Sequence, residues 1–333
     1  MRETRLLSYA LDPPLEAPDG DRVATNLECV LQLLDDAAAY DPDFVCFPEY
    51  VLQLRYRGDG LTRDAVSRPI PGPEMEAVGE KAAELGSYVW FPTIQRDEGR
   101  LYNAVTLIDP VGAVVGVAHK AAPTIGEMDE GTAPGERVEA WDTEFGRVAA
   151  GVCWDERYPE LGVRYAEQRA DLVFHPTTAT SSQLFTTWAQ YYGYYHVTCD
   201  KHAAWITTPT GARLASTSTR MGNPVISLPG GATARISFGV VNTDCGTYGL
   251  FQNHEVVDAI RERYGGSVAF HELEDVGVLV IESLEESLAI AEVEEAFGLE
   301  TMFTYEERTR ARVLERTERS PLLPFRETDA SGR

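Results

Sequence analysis

The chain has 333 residues and a formal charge of −24, from 53 acidic and 29 basic side chains. Its length suits one large layered α/β domain with decorations, and so acidic a surface repels nucleic acid and anionic membranes, which excludes both as partners. Lysine is confined to Lys81, Lys120 and Lys201, with arginine supplying the other cations; such a halophilic composition suits a cytoplasm of very high salt, where charge repulsion is screened.

The opening "MRETRLLSYALDPP" lacks the long apolar core of a signal peptide, and no window of about 20 apolar residues is present to span a bilayer. A soluble, cytoplasmic protein is expected. The strand-like "RLLSYAL" is followed by "TNLECVLQLLDDAAAY" at helical spacing, with Thr25 as the expected N-cap, and then by the strand "DFVCFPEY". A helix over residues 73–85 precedes the strands "SYVWFPTI", "YNAVTLID" and "AVVGVAHK". The strand "RVAAGVC", the helix "PELGVRYAEQ" and the strand "DLVFHP" come next. Helices alternating with strands predict an α/β sheet covered by helices. Beyond Ser181, "TTWAQYYGYYHV" reads as a helix, "AAWITT" and "VISL" as strands, and residues 241–270 as loops with a short helix. The polar tail, residues 321–333, is expected to be loose, leaving one domain over residues 1–320.

The five cysteines, Cys29, Cys46, Cys153, Cys199 and Cys245, are odd in number and scattered, with neither a CxxC pair nor zinc-like spacing. A disulfide scaffold and a metal centre are both unexpected. Three of the predicted strands end in a reactive side chain: "FVCFPEY" delivers Glu49, "VVGVAHK" delivers Lys120 and "VAAGVC" delivers Cys153. In open α/β folds that edge is where ligands bind. The residue types fit acyl transfer, because a thiol needs a base to become a nucleophile and an attacked carbonyl oxygen needs a cationic or N–H donor.

In this order, "FPEY", "HKAAPT" and "GVCWDERYPE" resemble the carbon-nitrogen hydrolase, or nitrilase, superfamily, with the likeness running from about Leu6 to Pro176. The resemblance implies a four-layer α-β-β-α sandwich, commonly paired as a homodimer or higher oligomer, and a Glu49–Lys120–Cys153 triad. A second glutamate is implied at Glu127, with Glu130 as its less favoured alternative. Glu49 would take the proton of Cys153, and Lys120 and the Trp154 backbone N–H would hold the oxyanion. Tyr50 and His175 are added as candidate pocket residues. The implied substrate is a small-molecule amide, carbamoyl compound or nitrile, with no metal or organic cofactor needed. The segment "WAQYYGYYHV" departs from the family pattern, and residues 241–270 read as an insertion.

Bland readings exist for each residue: a paired strand-end carboxylate, a solvated lysine, a buried thiol filler. Asp155 and Glu160 read as acidic residues favoured at a helix N-terminus, with Pro159 in the first turn. A cysteine-histidine pair drawn from His119, His175 or His196 is a rival mechanism, although alternation along the strand points His119 away from whatever Lys120 addresses. Among functions, amide or carbamoyl hydrolysis comes first, nitrile hydrolysis second, and a catalytically silent scaffold of the same fold third.

Overall fold

The computed structural model describes residues 1–17, 20–178, 182–218, 222, 224–317 and 322. Apart from Leu322, the predicted loose tail lies outside these residues. Seven strands form the first sheet, in the order Ile226–Ser227, Thr233–Asn242, Glu3–Asp12, Phe44–Cys46, Tyr88–Asp97, Arg100–Ile108 and Val114–His119. Six form the second, in the order Arg213–Ser218, Ala203–Thr207, Tyr195–Cys199, Leu172–Pro176, Gly146–Ala150 and Ala140–Thr143.

Alternation along the strands dictates the layers. In the first strand Leu6 turns to the second sheet, where it shares a core with Phe44, Trp90, Val148, Phe174 and Val197. Its neighbours Leu7 and Tyr9 turn outward, onto Val30, Leu33 and Val78 of the helices Arg22–Ala37 and Pro73–Leu85. On the far side, Val173 of the second sheet packs on Tyr165 and Trp188 of the helices Pro159–Glu167 and Ser182–Tyr192. The result is helix, sheet, sheet, helix, in agreement with the α-β-β-α sandwich expected.

Several boundaries differ from the sequence reading. The first helix begins one turn early, capped by Asp21, whose side chain accepts from the Ala24 backbone N–H at 3.0 Å; Thr25 sits inside the helix, its hydroxyl bonded to the Asp21 carbonyl. The predicted helix "TTWAQYYGYYHV" stops at Tyr192, because Gly193 takes φ +77° and the chain turns into the strand Tyr195–Cys199. The largest correction concerns residues 241–270. Instead of loops they supply the strand Cys245–Gly249, the 15-residue helix Leu250–Tyr264 and the strand Val268–Leu273. With Val278–Ser283 these make a third, antiparallel sheet whose own core includes Tyr248, Ile260, Leu279 and Val293. No described helix is long and apolar enough to cross a membrane.

Candidate active site

Strand direction brings the three reactive side chains together. Phe44–Cys46 runs parallel to Tyr88–Asp97, and two antiparallel pairings later Val114–His119 points the same way. Glu49, three residues beyond the first of these strands, and Lys120, one beyond the last, therefore emerge at the same edge. Cys153 emerges from the facing sheet, past Gly146–Ala150, which is parallel to Leu172–Pro176.

Lys120 and Glu49 are each only 1 % exposed. The Lys120 ammonium donates to Glu49 Oε1 at 3.0 Å and to Glu127 Oε2 at 2.8 Å, leaving one of its three N–H donors. Asn103, opposite Lys120 on the neighbouring strand, donates to Glu49 Oε1 at 2.7 Å and to Glu127 Oε1 at 2.9 Å. The other oxygen of Glu49 accepts from the Thr178 hydroxyl at 2.8 Å, and that hydroxyl lies 4.0 Å from the Cys153 sulfur. One ammonium thus serves two carboxylates, and one carboxylate faces the thiol side.

These environments fix protonation. Burial and the charge of Glu49 push the Cys153 thiol up to about 11, against the opposing pull of Lys120, so the sulfur carries its proton at neutral pH and needs a base. Burial alone would discharge Lys120, yet Glu49 and Glu127 outweigh it and hold the ammonium charged well above its ordinary range. Glu127 is likewise opposed by burial, but Lys120 and hydrogen bonds bring it down to about 2. It also accepts from the Thr124 backbone N–H at 2.8 Å within a capping box at the helix Ile125–Asp129. Fully bonded and permanently ionised, Glu127 anchors Lys120 and has no proton to exchange. Glu130 does not reach Lys120; it binds Tyr56, Arg57 and Arg63.

The loop carrying Cys153 is bent for exposure of its sulfur. Cys153 adopts φ +47°, a left-handed conformation costly for a residue with a Cβ. Gly151 lets the chain approach, since a Cβ there would lie 2.8 Å from the Tyr165 hydroxyl oxygen. His175 donates from Nε2 to the Cys153 carbonyl at 3.0 Å, and burial lowers its pKa to about 4, so the ring is neutral. It is wholly buried; the expectation that it lines the pocket is corrected, and its tie to a carbonyl rather than to the thiol removes it as a cysteine-histidine base. His119 stacks on Tyr102 and His196 on Phe185, both facing other surroundings.

Asp155 is more than a helix-terminal charge. Buried among backbone donors, it accepts from Val152 at 3.0 Å, from Ala122 at 2.8 Å and from Ala121 at 3.4 Å, so one carboxylate stitches the cysteine loop to the lysine loop. Burial raises its pKa to about 6 despite those bonds. Pro159 and Glu160 do open the next helix as expected. The Trp154 ring is 41 % exposed and lies under Arg157, 5.2 Å from the guanidinium. Tyr50, at φ +38°, lies under Arg63 at 5.4 Å. Asn103, Thr178, Arg63 and the bridging role of Asp155 escape sequence reasoning. Only Asn103 leaves a trace, as a polar residue inside the apolar run "YNAVTLI".

Two facing sheets between helices, with a lysine, two glutamates and a cysteine at one edge, define a protein of the carbon-nitrogen hydrolase type. The chain belongs to the carbon-nitrogen hydrolase family, whose model matches residues 20–233. It is 28 % identical over 169 residues to a bifunctional nitrilase/nitrile hydratase NIT4B of Nicotiana tabacum, covering 46 % of this chain and 49 % of that protein. It is 27 % identical over 163 residues to the omega-amidase NIT2 of Danio rerio, covering 45 % to 46 % of this chain's length at most and 57 % of that protein. The chain therefore spans about half the length of the curated relatives it matches. Among solved structures, an amidase from Nesterenkonia sp. AN1, described with the acetamide moiety of fluoroacetamide added at its active-site cysteine, superposes with a TM-score of 0.57 at 14 % identity, over 72 % of this chain and 90 % of that one. Saccharomyces cerevisiae Nit3, a member of branch 10 of the nitrilase superfamily, does so with 0.56 at 17 %, over 79 % and 96 %.

Proposed function

We propose that the protein hydrolyses a non-peptide carbon–nitrogen bond of a small amide or carbamoyl compound through a thioester on Cys153. The observation that carries this reading is the buried contact of Lys120 with both Glu49 and Glu127 beside a protonated thiol. Glu49 takes the proton of Cys153 as the sulfur attacks the carbonyl carbon. The remaining N–H of Lys120 and the backbone N–H of Trp154 hold the tetrahedral oxyanion. Glu49 passes its proton to the departing nitrogen, the C–N bond breaks, and ammonia or an amine leaves. Water, deprotonated by Glu49, then attacks the thioester and releases the acid, and the proton returns to Cys153 as its sulfur departs.

A nitrile substrate is the second reading, favoured by the likeness to a nitrilase/nitrile hydratase. A silent scaffold is disfavoured on energetic grounds. Burying a lysine with two carboxylates costs several kcal/mol of desolvation per ion before pairing offsets it, and such clusters are retained where chemistry uses them. The deciding experiment is an ammonia-release screen over amides, carbamoyl compounds and nitriles in molar KCl. Release from amides or carbamoyl compounds, lost in Cys153→Ala, supports the first reading; release from nitriles alone selects the second. No turnover of any class contradicts both.

A further inference from the structure

Behind Glu127 sits a cation that the mechanism does not use. Arg63 opens the short helix Arg63–Val66, and its side chain is 1 % exposed. Its Nη2 donates to Glu127 Oε1 at 3.3 Å and its Nε to Glu130 Oε2 at 3.0 Å. The guanidinium lies over Tyr50 at 5.4 Å and Tyr56 at 6.0 Å, which closes off water on that side.

Charge counting shows what such a cation does there. Glu49 and Glu127 are two buried negative charges sharing one ammonium, that of Lys120. Alone, those three groups would hold one net negative charge away from water, and two carboxylates at one site resist simultaneous ionisation. Arg63 restores neutrality. Glu130 and Arg57, at the half-exposed rim, pair with each other at 2.8 Å and leave the balance unchanged. Asp64, next in the helix, is taken up by Arg96 at 2.7 Å. The phenols of Tyr50 and Tyr56 are both raised by burial and stay neutral in the working range.

We propose that Arg63 is a positioning residue that acts through Glu127: it supplies the second positive charge that lets Glu49 and Glu127 be ionised together, and thereby sets the lower pH limit at which Cys153 can be activated. This rests on Glu49 being the base for Cys153. Arg63 touches no reacting atom. Its effect is the electrostatic field of one guanidinium, carried by direct contact with Glu127 and by the Lys120 bridge to Glu49.

The test is the pH dependence of Cys153 reactivity. Alkylation by iodoacetamide, followed on the Cys153 peptide by mass spectrometry between about pH 5 and 10, needs no knowledge of the substrate and centres on the thiol's titration range. The pH profile of kcat/KM for ammonia release is measured beside it. Arg63→Met is expected to move the alkylation midpoint and the acidic limb of kcat/KM to higher pH, by about one pH unit or more, the size of effect expected when a neighbouring cation is lost. Arg63→Lys, which keeps the charge, is expected to restore most of that displacement. Glu130→Gln, at the exposed rim and safe for folding, removes a negative charge and is expected to move both profiles the opposite way.

A merely structural Arg63 would lower rates equally at every pH, so a profile of unchanged midpoint in Arg63→Met overturns the proposal. Should Arg63→Met fail to fold, an unmoved midpoint in Glu130→Gln overturns it instead. The underlying reading fails separately: ammonia release that survives in Cys153→Ala removes Cys153 as nucleophile, while the alkylation profiles still report the field at its sulfur.

Discussion

Lys120 is one of three lysines in a chain that otherwise uses arginine, and its surroundings explain the choice. An ammonium is compact enough to contact two carboxylates and keep a third donor; a planar guanidinium in the same sealed space would displace Glu49 or Glu127. Lys120→Arg should therefore lower kcat about 10²–10³-fold, the typical cost of one well-placed oxyanion donor. Near-normal kcat in that variant would remove Lys120 from the role. Glu127 gives a stability prediction instead. Its ordinary value is 4.5 and the folded value about 2, so the unfolded chain binds the proton more readily. Its contribution is then fully present above pH 4.5 and lost as pH falls toward 2, with a size on the order of 3 kcal/mol. Denaturant titrations of wild type and Glu127→Gln should show a stability gap at pH 5 that narrows by pH 3; a gap that does not change would contradict the assignment.

At the scale of elements, the site depends on how two loops from different sheets are joined. Asp155 accepts backbone N–H groups from both, and an asparagine there would turn an NH₂ group toward donors. Losing one such buried bond typically costs about 1–3 kcal/mol. Asp155→Asn is expected to lower the thermal midpoint and kcat together, with KM less affected; a variant of unchanged kcat would show that the stitch does not position Cys153. This element was the one misread from sequence, because an acidic residue before a helix looks the same whether it caps the helix or bridges to a loop 34 residues away. Glu49, Lys120 and Cys153 were legible because each ends an apolar run, and strand ends are readable one strand at a time. Thr178 and Arg63 were not, since their partners come from distant segments and no local pattern marks them. The third sheet was missed for a related reason. Its strands are short, and "CGTYG" carries two glycines in five residues, which reads as a turn until Val278–Ser283 pairs with it.

For the whole molecule, the charge of −24 is the feature the site does not use. Like charges spread over one surface repel within a Debye length, about 10 Å at 0.1 M salt and about 3 Å at 1 M. Thermal melts are expected to rise steadily from low to molar KCl, and coincident melts would show that the acidic excess carries no such load. The central claim is that one sulfur, among five thiols in the chain, forms the covalent bond with substrate. The most direct measurement is peptide-level mass spectrometry after exposure to fluoroacetamide, the reagent whose acetamide moiety adds to the active-site cysteine of the Nesterenkonia amidase. An adduct confined to the Cys153 peptide, and formed far more slowly in Lys120→Ala, is the predicted result. Modification of Cys29, Cys46, Cys199 or Cys245 with Cys153 untouched would contradict it.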